Sequence, residues 1–203
     1  MPILDRVKVY GLSDSIKASK YPMSVDLEKL NDDVTDGVRK RGACPPGTGH
    51  DQFLTGIIVQ FDLTFSIKAW VEAERYHFFD FVSSQSTMHR IMKFDLTKQM
   101  NEYVSPALVK NANALVSAYK ADPSPENYLR AIYNIPVGMR LTARMTTNYR
   151  QLKTIYQQRK DHRLPEWREF CRELETLPMW KELTQGEPET SEQGATAQGS
   201  AGR

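Results

Sequence analysis

The stretch "FLTGIIVQFDLTFSI", residues 53–67, most constrains the fold. Val59, Phe61, Leu63 and Phe65 alternate with Gln60, Asp62 and Thr64. A period of two puts the four apolar side chains on one face of a strand and the polar ones on the other. Such a strand needs partners along its edges and cover on its apolar face. "VKVYGL" (7–12) supplies a second short strand, closed by Gly11.

The cover comes from segments of helical character. "SDSIKASKY" (13–21) starts a helix with Ser13 or Asp14 as its cap. In "SVDLEKLNDDVTDGVRKRG" (24–42), Val25, Leu27, Leu30, Val34 and Val38 recur at roughly helical spacing between a Ser24 cap and a Gly42 stop. "KAWVEAERYHFF" (68–79) favours helix, and the Ser-rich segment 83–87 interrupts it as a loop. Two longer helical patterns cover about 98–121 and, after the Ser124 cap and Pro125, 124–135. Residues 136–160 begin strand-like and end helical. "LPEWREFCRELETLPMWKEL" (164–183) is amphipathic, with Trp167, Phe170, Cys171 and Leu174 on one side. Residues 184–203 carry little to bury and are expected to be a disordered tail behind a single domain, 1–183.

Of 203 residues, 40% are hydrophobic and 26% charged, enough for one sizeable core. Cys44 and Cys171 are the two cysteines, which gives neither a zinc spacing nor a disulfide framework. Free thiols, the lack of an apolar leader after Met1 and the lack of a long apolar run together predict a cytoplasmic protein with no membrane partner. The four histidines, His50, His77, His89 and His162, lack metal-ligand spacing, so no metal is expected. "PPGTGH" (45–50) lacks the Gly-Lys-Ser/Thr ending of a phosphate loop and reads as a turn.

What remains is a distributed set of anion-seeking groups. "RYHFFDFVSSQSTMHR" (75–90) holds Arg75, His77, His89, Arg90, Gln85 and four hydroxyls. "RLTARMTTNYRQ" (140–151) holds Arg140, Arg144, Arg150 and Asn148, and "QQRKDHR" (157–163) holds Arg159, His162 and Arg163. Arginine suits bidentate recognition of phosphate and of planar carbonyl edges. The same residues also suit a solvated basic face. Arg150 has a second reading as an ion-pair partner, and Asn148 as a helix cap.

The order of these parts resembles the flavin-dependent thymidylate synthase family. "NIPVGMRLTARMTTNYRQLKTIYQQRKDHRLPEW" (134–167) is similar to the family's hydrophobic-Pro-hydrophobic segment, then TxNxRxLxxxxxxR, a turn with Asp, Ser and His, and a Trp-led helix. Pro136, Thr146, Asn148, Arg150, Leu152, Arg159, Asp161 and Trp167 fall in that order. His50 and Asp51 match the start of the family's His-Glu strand entry, while Gly56 stands at its second His. Arg75-Tyr76-His77 stands where the family has Arg-His-Arg, and Gln85, Ser86 and His89-Arg90 stand near the end of that signature. The Asn-Glu pair within it is missing.

The resemblance implies an α+β fold: a central, mostly antiparallel sheet carrying 7–12 and 53–67, flanked by long helices, in a homotetramer with sites shared between subunits. It implies an enzyme, a methyltransferase moving a one-carbon unit from methylenetetrahydrofolate to C5 of dUMP, with FAD as hydride donor and NADPH as reductant. By position, Arg159 is the catalytic residue and contacts the pyrimidine carbonyl. Gln85, Ser86 and Arg90 take phosphate and sugar, with Arg140 as a substitute phosphate ligand. His50, Arg75, His77, Asn148 and Arg150 line the flavin. Two alternatives stay open: a flavin-independent nucleotide hydroxymethylase, and a non-catalytic nucleotide-binding homologue. A third, a nucleic-acid-associated protein using its Arg-rich faces, is opposed by the net charge of +2.

Overall fold

A computed structural model describes residues 2–187. The part of the expected tail from position 188 onward lies outside the described residues. Four strands, β1 (Leu4–Tyr10), β2 (Ile58–Ser66), β3 (Asp80–Ser84) and β4 (Arg140–Asn148), form one sheet in the order β1-β2-β4-β3. Every neighbouring pair is antiparallel. The α+β architecture implied by the sequence is therefore observed.

The alternation in β2 sets the sheet's two faces. Val59, Phe61, Leu63 and Phe65 are fully buried, and their partners in β4, among them Ala143 opposite Leu63 and Met145 opposite Phe61, extend the same face. The opposite face carries Gln60, Asp62 and Thr64 beside Thr142, Arg144 and Thr146. Asp62 is ion-paired there with Arg6 and, at 3.2 Å, with Arg144.

The helices are α1 (Leu12–Ala18), α2 (Asp36–Gly42), α3 (Ile67–Ala73), α4 (Thr87–Arg90), α5 (Leu96–Gln99), α6 (Pro106–Ala121), α7 (Pro125–Tyr133), α8 (Tyr149–Arg159), α9 (Pro165–Leu174) and α10 (Trp180–Thr184). Trp167, Phe170 and Leu174 of α9, with Leu152 and Ile155 of α8, pack on the apolar face of the sheet. A second core lies between α6 and α7, with Ala112, Val116, Ala131, Ile91, Leu96 and Met139.

Several expectations are corrected. Residues 24–35 are not helical, and the helix is confined to α2 behind a Thr35 cap. Val25 and Leu27 are exposed, so nothing rewards their helical spacing. Asp26 and Asn31 instead accept from the local amides of Glu28 and Asp33, the competition that disfavours helix. α1 is entered from Gly11, at φ 70°, rather than from Ser13 or Asp14. The loop expected at 83–87 begins as β3, and α3 stops at Ala73 before Phe78, which takes a positive φ of 58°. The pattern over 98–121 is not one helix: α5 ends at Gln99, residues 100–105 are not helical, and α6 begins at Pro106. Helix 164–183 is broken after Leu174, with Met179 at φ 54°.

Candidate functional site

Antiparallel pairing divides the candidate residues between the two ends of β4. Arg140 opens the strand and Asn148 closes it, roughly 27 Å apart at the rise of an extended chain. Gln85 lies at the Arg140 end, where its backbone and side chain both bond Thr142: N–H to the carbonyl at 2.9 Å, Oε1 from the amide at 2.9 Å. Ser86 caps α4 by accepting from the amide of His89, and its hydroxyl also meets His89 Nδ1 at 2.9 Å. Arg90 follows, exposed at the end of that short helix. Arg140 pairs with Glu102 at 3.0 Å.

At the other end Asn148 caps α8, accepting from the amide of Gln151 at 2.9 Å. Arg150 donates to Asp51 Oδ1 at 2.9 Å and to Gln52 Oε1 at 2.9 Å. His50 is exposed beside them. Sequence reasoning missed Lys153, one turn along α8. Its ammonium is buried and donates to the carbonyls of Gly42 and Cys44, each at 2.7 Å, and to Asp51 Oδ2 at 2.9 Å. Its only sequence signal was a lysine at an apolar position of α8, between Leu152 and Ile155.

The eleven residues of α8 carry the chain back over the core, so Arg159 lies far from Asn148 although both belong to one motif. Arg159 is 9% exposed. Its guanidinium lies 5.0 Å from the Trp167 ring centroid and 5.4 Å from that of Tyr76, two neighbouring rings that both make cation–π contact with it. Nε donates to the Tyr76 hydroxyl at 2.6 Å, Nη1 meets His162 Nε2 at 2.7 Å, and Glu72 supplies a countercharge at 3.5 Å. Burial, then the Arg159 charge, lowers the pKa of His162, with Glu72 opposing. Arg75 and His77 flank Tyr76 on the outside; Arg75 is exposed and 3.5 Å from Glu72.

Next to this cluster a cleft of about 810 Å³ opens between the start of α9, the end of β2 and the 101–104 and 136–140 segments. Arg140, Arg163, Arg168, Asn101 and Tyr103 line it, with apolar walls from Val104, Leu108 and Leu164. Glu166 fixes its floor by accepting from the Ser66 amide at 2.8 Å and hydroxyl at 2.9 Å. Among the described residues no group of His, Cys, Asp and Glu could hold a metal ion, and no helix is long and apolar enough to cross a membrane.

Comparison with known proteins bears on this geometry. No protein-family model and no curated protein sequence matches the chain. Solved structures do. A flavin-dependent thymidylate synthase from Helicobacter pylori, in complex with FAD and dUMP, superposes with a TM-score of 0.71 at 14% identity, covering 91% of this chain and 99% of that one. A second structure of thymidylate synthase X from the same organism, also with FAD and dUMP, gives 0.67 at 18% identity, over 86% and 94% of the two chains. A UMP/dUMP methylase from Streptomyces cacaoi, bound with 5-Br dUMP, gives 0.62 at 15% identity and 90% of each chain. The chain therefore has the fold of the flavin-dependent thymidylate synthases over nearly its whole described length. That is the family whose motifs the sequence resembles.

The five residues matched to flavin contacts are not gathered into one cradle. Asn148 and Arg150 are committed to the α8 cap and to Asp51, at the opposite end of α8 from the Tyr76 cluster beside which Arg75 and His77 sit. Within one chain these side chains do not fit a flavin. No hydride step is derived from them.

Proposed function

We propose that this chain is a nucleotide-modifying enzyme that binds dUMP and transfers a one-carbon unit from methylenetetrahydrofolate to its C5. The observation that carries this reading is Arg159. It is the arginine that closes the resemblance motif, and it sits in a desolvated aromatic pocket where a cation acts strongly on a flat, polarisable ring. Its charge would stabilise enolate character on the pyrimidine carbonyl, which makes C5 nucleophilic; C5 then bonds to the folate methylene carbon, loses its proton, and the folate nitrogen departs as tetrahydrofolate. Ser86, Gln85 and Arg90, at the β3–α4 junction, would meet sugar and phosphate, with Arg140 one strand away.

Likeness to solved structures that hold dUMP or 5-Br dUMP supports the substrate, and the family resemblance supports the folate. Only if His50, Arg75, His77, Asn148 and Arg150 of different subunits together held FAD would hydride be supplied to make the transferred carbon a methyl group, with NADPH as the source of reducing equivalents. The commitment of Asn148 and Arg150 elsewhere favours a second reading, in which water captures the transferred methylene and the product is the 5-hydroxymethyl nucleotide. That outcome needs no reductant.

The active form is read as a homotetramer of a cytoplasmic enzyme. Phe78, Phe81, Val82 and Met88 are exposed along β3, an edge strand whose outer side faces no other strand. A second copy covering them would remove an aggregation-prone edge. Light scattering of the purified protein tests this.

The test of the reaction is mass spectrometry of dUMP after incubation with the protein and carbon-13 methylenetetrahydrofolate, with and without FAD and NADPH. A labelled methyl product with flavin supports the first reading, and a labelled hydroxymethyl product without it supports the second. Unlabelled dUMP in both, with no loss of folate, overturns the enzyme reading.

A further inference from the structure

We propose that Tyr76 and His162 are positioning residues that clamp Arg159 in a single orientation and leave one guanidinium nitrogen, Nη2, to meet the ligand. The assignment of a nucleotide to that nitrogen rests on the reading above; the clamp itself does not.

The hydrogen-bond inventory of the guanidinium leads there. Nε is taken by the Tyr76 hydroxyl, which passes its own proton to Gln158 Oε1 at 3.0 Å, so the phenol both accepts and donates. Nη1 is taken by His162 and faces Glu72. Among the described residues none accepts from Nη2, and Nη2 is not fully buried. The rings of Tyr76 and Trp167, 6.0 Å apart, lie on neighbouring flanks of the guanidinium. Arg159 thus offers the two N–H groups of one nitrogen rather than the fork across two nitrogens that arginine presents when free.

The ring of His162 is polarised by the same arrangement. A neutral imidazole has one acceptor nitrogen. Both of its nitrogens face donors: Arg159 Nη1 at 2.7 Å from Nε2, and the Leu164 amide at 3.2 Å from Nδ1. The charge-assisted contact from Arg159 is the shorter and stronger of the two. A protonated His162 has no lone pair left and adds a like charge beside Arg159. The charged groups facing this ring are Arg159 from α8, Glu72 from α3, and Arg163 and Arg168 at the start of α9. Three of the four are cations, and they favour the neutral form that the clamp needs.

Tyr76 occupies the middle of the Arg-Tyr-His triplet where the resembled family carries histidine. The tyrosine is a departure from that family's pattern. A phenol reaches Nε with its oxygen while its ring covers the cation, two contacts that no shorter side chain makes together.

The clamp is tested by nitrogen-15 NMR of Arg159 Nε–H, together with dUMP titration, in the wild type, Tyr76→Phe and His162→Gln. Tyr76→Phe keeps the ring and removes only the oxygen. It is expected to expose Nε–H to fast exchange and to weaken dUMP binding about tenfold, the scale of one hydrogen bond to a charged group. His162→Gln, which keeps an acceptor, is expected to restore most of the binding that His162→Ala loses. In the wild type the Nε–H signal should hold through pH 6.5, the ordinary histidine value, and broaden only at lower pH, because burial and the Arg159 charge shift His162 down. Nε–H protection and dUMP affinity both unchanged in Tyr76→Phe would overturn the clamp. A wild type that binds no dUMP would contradict the proposed function, while the Nε–H signal would still decide whether Tyr76 holds the arginine.

Discussion

Lys153 Nζ lies 2.9 Å from Asp51 Oδ2 with both side chains buried, and the same carboxylate takes Arg150 at 2.9 Å through its other oxygen. The ammonium is also satisfied by the carbonyls of Gly42 and Cys44. One side chain of α8 thereby ties down the 42–51 turn. Removing only the acid strands a buried cation. Asp51→Ala is expected to cost about 3 to 5 kcal/mol, read from urea denaturation. The double change Asp51→Leu with Lys153→Met should cost less than Asp51→Ala alone.

Asn148 is expected to act on stability rather than on dUMP. As the α8 cap it is worth about 1 kcal/mol, so Asn148→Ala should lower the unfolding free energy by that amount. Affinity for dUMP should not change, because the other end of α8 carries Arg159. A fall in affinity larger than the fall in stability would return Asn148 to the binding site.

Gly42 ends α2 against α10. A Cβ there would collide with the Leu183 carbonyl oxygen, a backbone atom that cannot turn aside. Gly42→Ala is expected to destabilise by about 1 to 3 kcal/mol through overpacking, seen as a lower melting temperature. It would also disturb the acceptor that the Gly42 carbonyl offers Lys153.

Alkaline pH should unfold the protein earlier than neutral pH. Burial pushes the Cys171 thiol up to about 12, and burial with the Glu175 hydrogen bond pushes Tyr156 up to about 12. Burial raises Tyr149 as well. Each folded-state value lies above the unfolded one, so the unfolded chain releases its protons first. Their stabilisation is complete below about pH 9, the ordinary range of the thiol, and is lost as pH rises through 12. Melting temperatures from pH 7 to 11 check this. In the same samples an alkylating reagent should label half-buried Cys44 before Cys171.

The sequence carried the sheet's interior better than its edge. β2 and the β4–α8 junction were readable because one face of each is buried, which writes a period into the residues. β3 was not: all five of its residues are exposed, and its strand state comes from pairing with β4. The 24–35 segment erred in the other direction: Val34 reaches the core, but Val25 and Leu27 are exposed, so their apolar spacing meets no partner. Among site residues, sequence identified types but not commitments. The second readings of Asn148 as a cap and of Arg150 as an ion-pair partner are both realised. The Arg159 pocket was out of reach, since Glu72 of α3, Tyr76 after it, His162 in the α8–α9 turn and Trp167 of α9 converge on it.

The most direct test is calorimetric titration of dUMP into the wild type and Arg159→Ala. Saturable binding in the wild type, weakened about tenfold or more in Arg159→Ala with the fold intact, is the expected result. Equal binding by both proteins, or none by the wild type, would contradict the account that this buried arginine meets a pyrimidine nucleotide.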